Sequence, residues 1–208
     1  MREGGTTYGS AEDPSRRKAS FRKRFRRYRR SLDDSDYREL SRAIIDRTAA
    51  LDELQTASTV HVYWPLTKQR EVDTRPLVST LESDDKRIVL PVVERFESGS
   101  PPDMIHVRYH GADALRTNRW GISEPARGER IDVRDLDAVI VPALGAGRNG
   151  HRIGHGRGYY DHFLAGIDVP KICLVYHSCL VDAVPYESHD IPVDIIITEK
   201  ETLKLRDM

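Results

Sequence analysis

The chain has 208 residues, 38% of them hydrophobic and 32% charged, and its 33 Lys/Arg match its 33 Asp/Glu. That size and balance fit one large globular domain or two small ones, with a substantial core and a well-charged surface. No apolar run approaches the roughly 20 residues that span a bilayer, so no membrane partner is expected.

Charge is unevenly spread. Residues 1–31 carry eleven Lys/Arg against three Asp/Glu, a balance of +8, so the rest of this neutral chain carries −8. Residues 1–15 are rich in Gly, Ser and Thr without periodicity and are expected to be a disordered extension, with a single domain over 16–208. The amino terminus also lacks the apolar core of a secretory signal. Two cysteines, Cys173 and Cys179, fit no disulfide or zinc spacing. A cytoplasmic location with reduced thiols is expected.

From Arg16, the spacing of Phe21, Phe25, Tyr28 and Leu32 predicts one face of a helix, with cations on the remainder. Asp33 or Ser35 caps a second helix that buries Leu40, Ile44, Ile45, Leu51 and Leu54. Thr59 to Leu66 reads as a strand and Asp73 to Leu81 as a helix with Pro76 in its first turn. Arg87 to Val93 and Ile105 to Tyr109 read as strands, and Trp120 to Pro125 as a loop without regular pattern. Further strands are expected at Asp137 to Leu144, Lys171 to Tyr176 and Asp194 to Thr198. Strands alternating with helices predict a three-layer α/β/α domain: a mostly parallel, twisted sheet with N-terminal helices packed on it.

The most informative stretch follows the strand at Asp137 to Leu144. Gly145, Gly147, Gly150, Gly154, Gly156 and Gly158 alternate with Arg148, Arg152 and Arg157, and a helix is expected from Tyr159 to Ala165. Glycines permit close backbone approach, a helix start offers unpaired N–H groups, and arginines add positive charge, so a polyphosphate fits there. Ligands of such sheets bind at the carboxyl ends of strands. The segment GAGRNG satisfies a GxGxxG pattern, yet a second glycine cluster intervenes before the helix. Asp168 also precedes the next strand instead of ending it, which argues against a dinucleotide fold. No Gly-Lys-Ser/Thr closes either cluster, so it is no P-loop. His151, His155 and His162 have no evident fourth partner for zinc and read as loop or ligand contacts.

RIGHGRGYYD (Arg152 to Asp161), with VPALG before it, resembles the signature of the 5-formyltetrahydrofolate cyclo-ligase family, also called methenyltetrahydrofolate synthetase. Lys18-x-x-Phe21-Arg22, Tyr63 to Leu77, WGISEP (Trp120 to Pro125) and PYESHDIPVDIIIT (Pro185 to Thr198) match in the same order. The chain departs from the pattern at Ala146-Gly147, where an aromatic-aspartate pair is usual, at Ile153 for leucine and at His162 for arginine.

The resemblance implies an ATP- and Mg2+-dependent closure of 5-formyltetrahydrofolate to 5,10-methenyltetrahydrofolate, releasing ADP and phosphate. It places ATP on Lys18, Arg22, Arg152, Ile153, Gly154, His155, Gly156, Arg157, Gly158, Tyr159 and Tyr160, with Arg152, Tyr160 and Asp161 catalytic. Reduced folate falls to Trp64, Glu71, His155 and Tyr159, and magnesium to Asp161 with Asp190, or Asp194 in its place. Each of these has a plainer role: Trp64 as core, Glu71 as a helix-start acid, Asp161 as a surface acid. A monomer or weak homodimer is expected. The basic amino terminus leaves an RNA-associated protein as an alternative, and the sheet leaves a sugar-phosphate isomerase. The apolar stripe on the first helix favours docking, so specific nucleic-acid binding is not expected.

Overall fold

The computed structural model describes residues 13–93, 103–118 and 121–205. Most of the expected extension, and Trp120 of the WGISEP segment, therefore lie outside the described residues. Helix α1 (Pro14–Ser31) starts two residues before Arg16, because Asp13 accepts a hydrogen bond from Ser15 N and Pro14 suits a first turn. Helix α2 (Asp34–Ala49) is capped by Asp33, which accepts from Ser35 N and Asp36 N. The second helix does not run on to Leu51 and Leu54 as expected: it ends at Ala49, and Leu51 precedes a separate short helix α3 (Asp52–Gln55), which buries Leu54 and leads into strand β1 (Thr59–His61). Helix α4 (Arg75–Ser83) carries Pro76 in its first turn as expected.

Strands β2 (Arg87–Val93), β3 (Met104–Arg108), β4 (Leu115–Thr117), β5 (Ser123–Pro125) and β6 (Ala138–Pro142) follow. The glycine-rich stretch contributes β7 (Gly145–Gly147), β8 (Arg152–Ile153) and helix α5 (Tyr159–Leu164). Strands β9 (Lys171–Leu174), β10 (Leu180–Val181), β11 (Ile195–Ile197) and β12 (Thr202–Lys204) complete the chain.

The main sheet has the order β12-β11-β9-β6-β1-β2-β3. Its five inner strands run parallel, and the edges β3 and β12 are antiparallel. Alternation along the inner strands feeds two cores. Ala138 and Ile140 join Val60, Ile172 and Ile195 beneath α1, α2, α3 and α4, where Phe25, Ile44, Leu54 and Leu77 are buried. Val139 and Val141 face the other way, with Cys173 and Ile196 beneath Phe163 and Leu164 of α5. His61 and His106 lie on this second face, their rings 4.8 and 4.2 Å from the Phe163 ring. Burial holds the His61 pKa well below its ordinary value and pushes His106 down to about 4. Both cysteines are free and buried, and burial pushes each thiol up to about 12.

Three further expectations are corrected. The strand expected over Thr59 to Leu66 ends at His61, because the chain beyond it folds back over the sheet's end. There Thr74 Oγ1 donates to the Tyr63 carbonyl, Tyr63 Oη to the Val72 carbonyl and Leu66 N to Glu71. The Trp120 to Pro125 segment is not wholly irregular, since Ser123–Pro125 pairs with Leu115–Thr117. The first glycines form no open loop either. They build a small sheet in which β7 pairs with β8 and β10.

Gly145 is needed there because α1 crosses over it. A Cβ at that position would lie 2.5 Å from the Cys179 carbonyl oxygen and would overlap the Phe25 ring. Gly145→Ala should therefore lower stability by about 1–3 kcal/mol. Urea unfolding measures this, and an unchanged midpoint would show that α1 does not press on β7.

Candidate functional site

A cavity of about 500 Å³ opens at the carboxyl ends of β1, β2 and β6, where Tyr63, Trp64, Val93 and Pro142 form its walls. One side is α1, whose Lys18, Arg22 and Arg26 recur every four residues and so share a face. Beside it runs the segment Arg152 to Asp161, every residue of which lines the cavity, together with Asp190. Ile122 and Ser123 complete the wall. The ATP-directed, folate-directed and metal-directed residues expected from sequence thus face one space.

At one end Lys18 Nζ contacts Asp190 Oδ2 at 2.5 Å and Glu187 Oε2 at 2.6 Å. Burial pulls the Lys18 pKa down, but the hydrogen bonds to Asp190 and Glu187 outweigh it and hold it above its ordinary value. Burial raises the Asp190 pKa, and the bonds from Lys18 and Glu187 N bring it below the usual carboxylate range. Arg152 lies beside this cluster, only 9% exposed. It donates to Asp161 Oδ1 at 2.8 Å and to the Ile191 carbonyl at 2.6 Å, while Ile191 N donates back to Asp161. Arg152, Asp161 and the turn at 187–191 therefore form one bonded unit.

The middle of the cavity belongs to the glycines. Arg22 Nε donates to the Gly154 carbonyl at 3.1 Å. Gly156 and Gly158 have φ of +93° and +74°, which lets the backbone curl before α5 begins. A Cβ on Gly156 would also crowd the Arg22 guanidinium, 3.1 Å from its Cζ. His155 and Arg157 are exposed on the same curl, and Ile153 is buried beneath it.

At the far end Glu71 is only 4% exposed. Its Oε1 lies 3.6 Å from both Arg29 Nη2 and His155 Nε2, and its Oε2 accepts from Leu66 N at 2.9 Å. Burial raises the carboxyl pKa, but His155 and Arg29 hold it below the ordinary value. Trp64 packs on Tyr109 with ring centres 5.8 Å apart and still lines the cavity, so it serves as both core and wall. Tyr159 and Tyr160 both line the cavity. Among the described residues the buried Tyr160 hydroxyl has no hydrogen-bond partner, and burial pushes its pKa far above the ordinary value.

Asp194 is at the wrong end of the sheet to replace Asp190. It accepts from Lys171 N and lies 3.2 Å from Lys171 Nζ, where β9 and β11 begin. The histidines do not gather: His151 stacks on Tyr186 at 3.8 Å, while His155 faces Glu71. Among the described residues, Glu187, His189 and Asp190 form a group able to hold a metal ion. Glu187 was not anticipated, although an acid three residues before Asp190 in a turn was visible. Arg29 was missed as well. Nothing in a basic helix marks which arginine will be buried, apart from its four-residue spacing from Phe25.

Sequence and structure comparisons agree on one group of proteins. Residues 14–199 match the model of the 5-formyltetrahydrofolate cyclo-ligase family. The 5-formyltetrahydrofolate cyclo-ligase of Escherichia coli K12 is 33% identical over 182 residues, covering 83% of this chain and 95% of that one. The mouse cyclo-ligase is 24% identical, covering 82% and 87%. A solution structure of Aquifex aeolicus 5,10-methenyltetrahydrofolate synthetase superposes with a TM-score of 0.79 at 32% identity, covering 92% and 94%. The synthetase from Mycoplasma pneumoniae shares the fold at a TM-score of 0.69 and 22% identity.

Arg29 tests the electrostatics of this site. It is 2% exposed and donates to the carbonyls of Gln69 and Arg70 as well as facing Glu71. Arg29→Met leaves a buried carboxylate without that cation and should cost about 3–5 kcal/mol in urea unfolding. A loss under about 1 kcal/mol would mean that His155 and Leu66 N suffice to hold Glu71.

Proposed function

Because the chain belongs to the 5-formyltetrahydrofolate cyclo-ligase family, we propose that it converts 5-formyltetrahydrofolate and ATP into 5,10-methenyltetrahydrofolate, ADP and phosphate. The observation that carries this reading is that one cavity joins a cation- and glycine-lined end to an end walled by an aromatic ring and a buried acid. ATP phosphates suit the first end and a flat pterin the second.

The chemical difficulty is that a formamide oxygen leaves poorly. Transfer of the γ-phosphoryl group to that oxygen breaks the bond to ADP and gives an imidate phosphate. N10 then attacks the activated carbon, the ring closes, the N10 proton is lost and phosphate departs. The protein's part is to align the two substrates and to offset charge.

In this reading the curl from Arg152 to Tyr160 turns backbone N–H groups toward the phosphates, with Lys18, Arg22, Arg152 and Arg157 adding positive charge. The Tyr160 hydroxyl, unpartnered at the cavity wall, is free to donate to a transferring oxygen. Trp64 and Tyr159 offer faces for the pterin, and Glu71 accepts its N–H donors. His155 stands between the two ends.

The oxygen-rich set suits a hard divalent cation such as Mg2+. The Lys18 ammonium already bridges Asp190 and Glu187, which shows that this corner is built around positive charge. Asp161 and Asp190 would hold the ion, with Glu187 beside them. Bound there, magnesium would neutralise phosphate oxygens. A cytoplasmic location fits the same reading; among the described residues no helix is long and apolar enough to cross a membrane.

The assay follows methenyltetrahydrofolate absorbance from 5-formyltetrahydrofolate with and without Mg-ATP. Activity should require both ATP and divalent cation. Asp161→Asn and Arg152→Ala should each lower kcat by about 100-fold or more. Near-normal turnover in either variant, with the fold intact by circular dichroism, would remove that residue from the mechanism.

A further inference from the structure

One cation in the cavity has no task in the chemistry above. Lys18, Arg22 and Arg26 form a ladder along α1 with rungs about 6 Å apart. Lys18 is held by Asp190 and Glu187, and Arg22 by the Gly154 carbonyl. Arg26 has no hydrogen bond or ion pair among the described residues, yet it is half-buried and lines the cavity. The rungs before and after it fix its position. Arg22 touches the glycine curl, and Arg29, nearly one turn beyond, bonds the carbonyls of Gln69 and Arg70. Arg26 therefore stands one helical turn beyond Arg22, on the side of the cavity away from the Asp190 corner.

Of the other groups lining the cavity there, Trp64, Leu66 and Gln69 offer no charge, and Glu71 already faces Arg29, His155 and Leu66 N. Burial, with the like charges of Arg22, Arg30 and Arg29, holds the Arg26 pKa below its ordinary value. An anion arriving from outside would relieve that repulsion. In the reaction read above, ATP phosphates occupy the other end of the ladder. The remaining anion is the glutamate that ends the folate.

We propose that Arg26 binds a carboxylate of the folate's glutamate tail, the guanidinium at this end of the α1 ladder selecting the substrate by that charge. The assignment rests on the cyclo-ligase reading. It makes Arg26 a specificity residue, not one that touches the reacting atoms. A planar guanidinium gives a carboxylate two parallel donors, which a neutral side chain cannot replace.

The test compares 5-formyltetrahydrofolate with 5-formyltetrahydropteroate, which lacks the glutamate, in wild type and Arg26→Gln. The variant should raise KM for the folate about tenfold and leave KM for Mg-ATP within twofold. With the pteroate compound the two proteins should have equal kcat/KM, and Arg26→Lys should recover part of the loss on the folate. Equal losses with both substrates, or a loss falling on KM for Mg-ATP, would overturn the assignment while leaving the activity standing. A wild type inactive on both compounds would sink the cyclo-ligase reading and this assignment with it.

Discussion

A cation taken out of water has to be met by oxygen, and α1 carries several such cations across the carboxyl ends of the sheet. Lys18 and Arg29 are 6% and 2% exposed. Their partners come from distant stretches: Asp190 and Glu187 near the carboxyl end of the chain, and Gln69, Arg70 and Glu71 after β1. Meeting these two charges pulls two separate segments onto one helix. The cavity is the space left between them. The apolar stripe of α1 makes the close approach possible, because Phe25 is fully buried against Gly145.

The same logic explains why Lys18 and Arg152 are already held in place. Lys18 is paired with carboxylates, and Arg152 with Asp161 and the Ile191 carbonyl. Each of these two cations is thus held at the cavity wall by an anionic or carbonyl partner. Such preorganisation lowers the entropic cost of gathering charges around a polyphosphate. The second core supports the arrangement from below, where Phe163 anchors α5 against His61 and His106. That anchoring fixes Tyr160 and Asp161, which lie on the turn of helix above.

Much of this was legible in the sequence, for identifiable reasons. β-Branched runs marked the inner strands, since a strand buried on both faces must be apolar throughout. Glycines alternating with arginines marked the stretch whose later half, Arg152 to Asp161, lines the cavity. Edge strands β12 and β5 escaped notice because three-residue segments such as Thr202–Lys204 carry little pattern. The hairpin of β7 and β8 was hidden for a different reason. Gly145 and Gly147 serve packing, whereas Gly156 and Gly158 serve backbone curvature, and composition alone does not tell those uses apart. Pairings such as Lys18 with Glu187 span most of the chain, so no local signal announces them.

The most direct test is a crystal structure with a non-hydrolysable ATP analogue and magnesium. The triphosphate should lie along Arg152 to Tyr160 with the cation between Asp161 and Asp190, and Lys18 should turn from Glu187 toward a phosphate oxygen. Nucleotide ordered at another edge of the sheet, with the Lys18 pairs and the glycine curl untouched, would contradict the account.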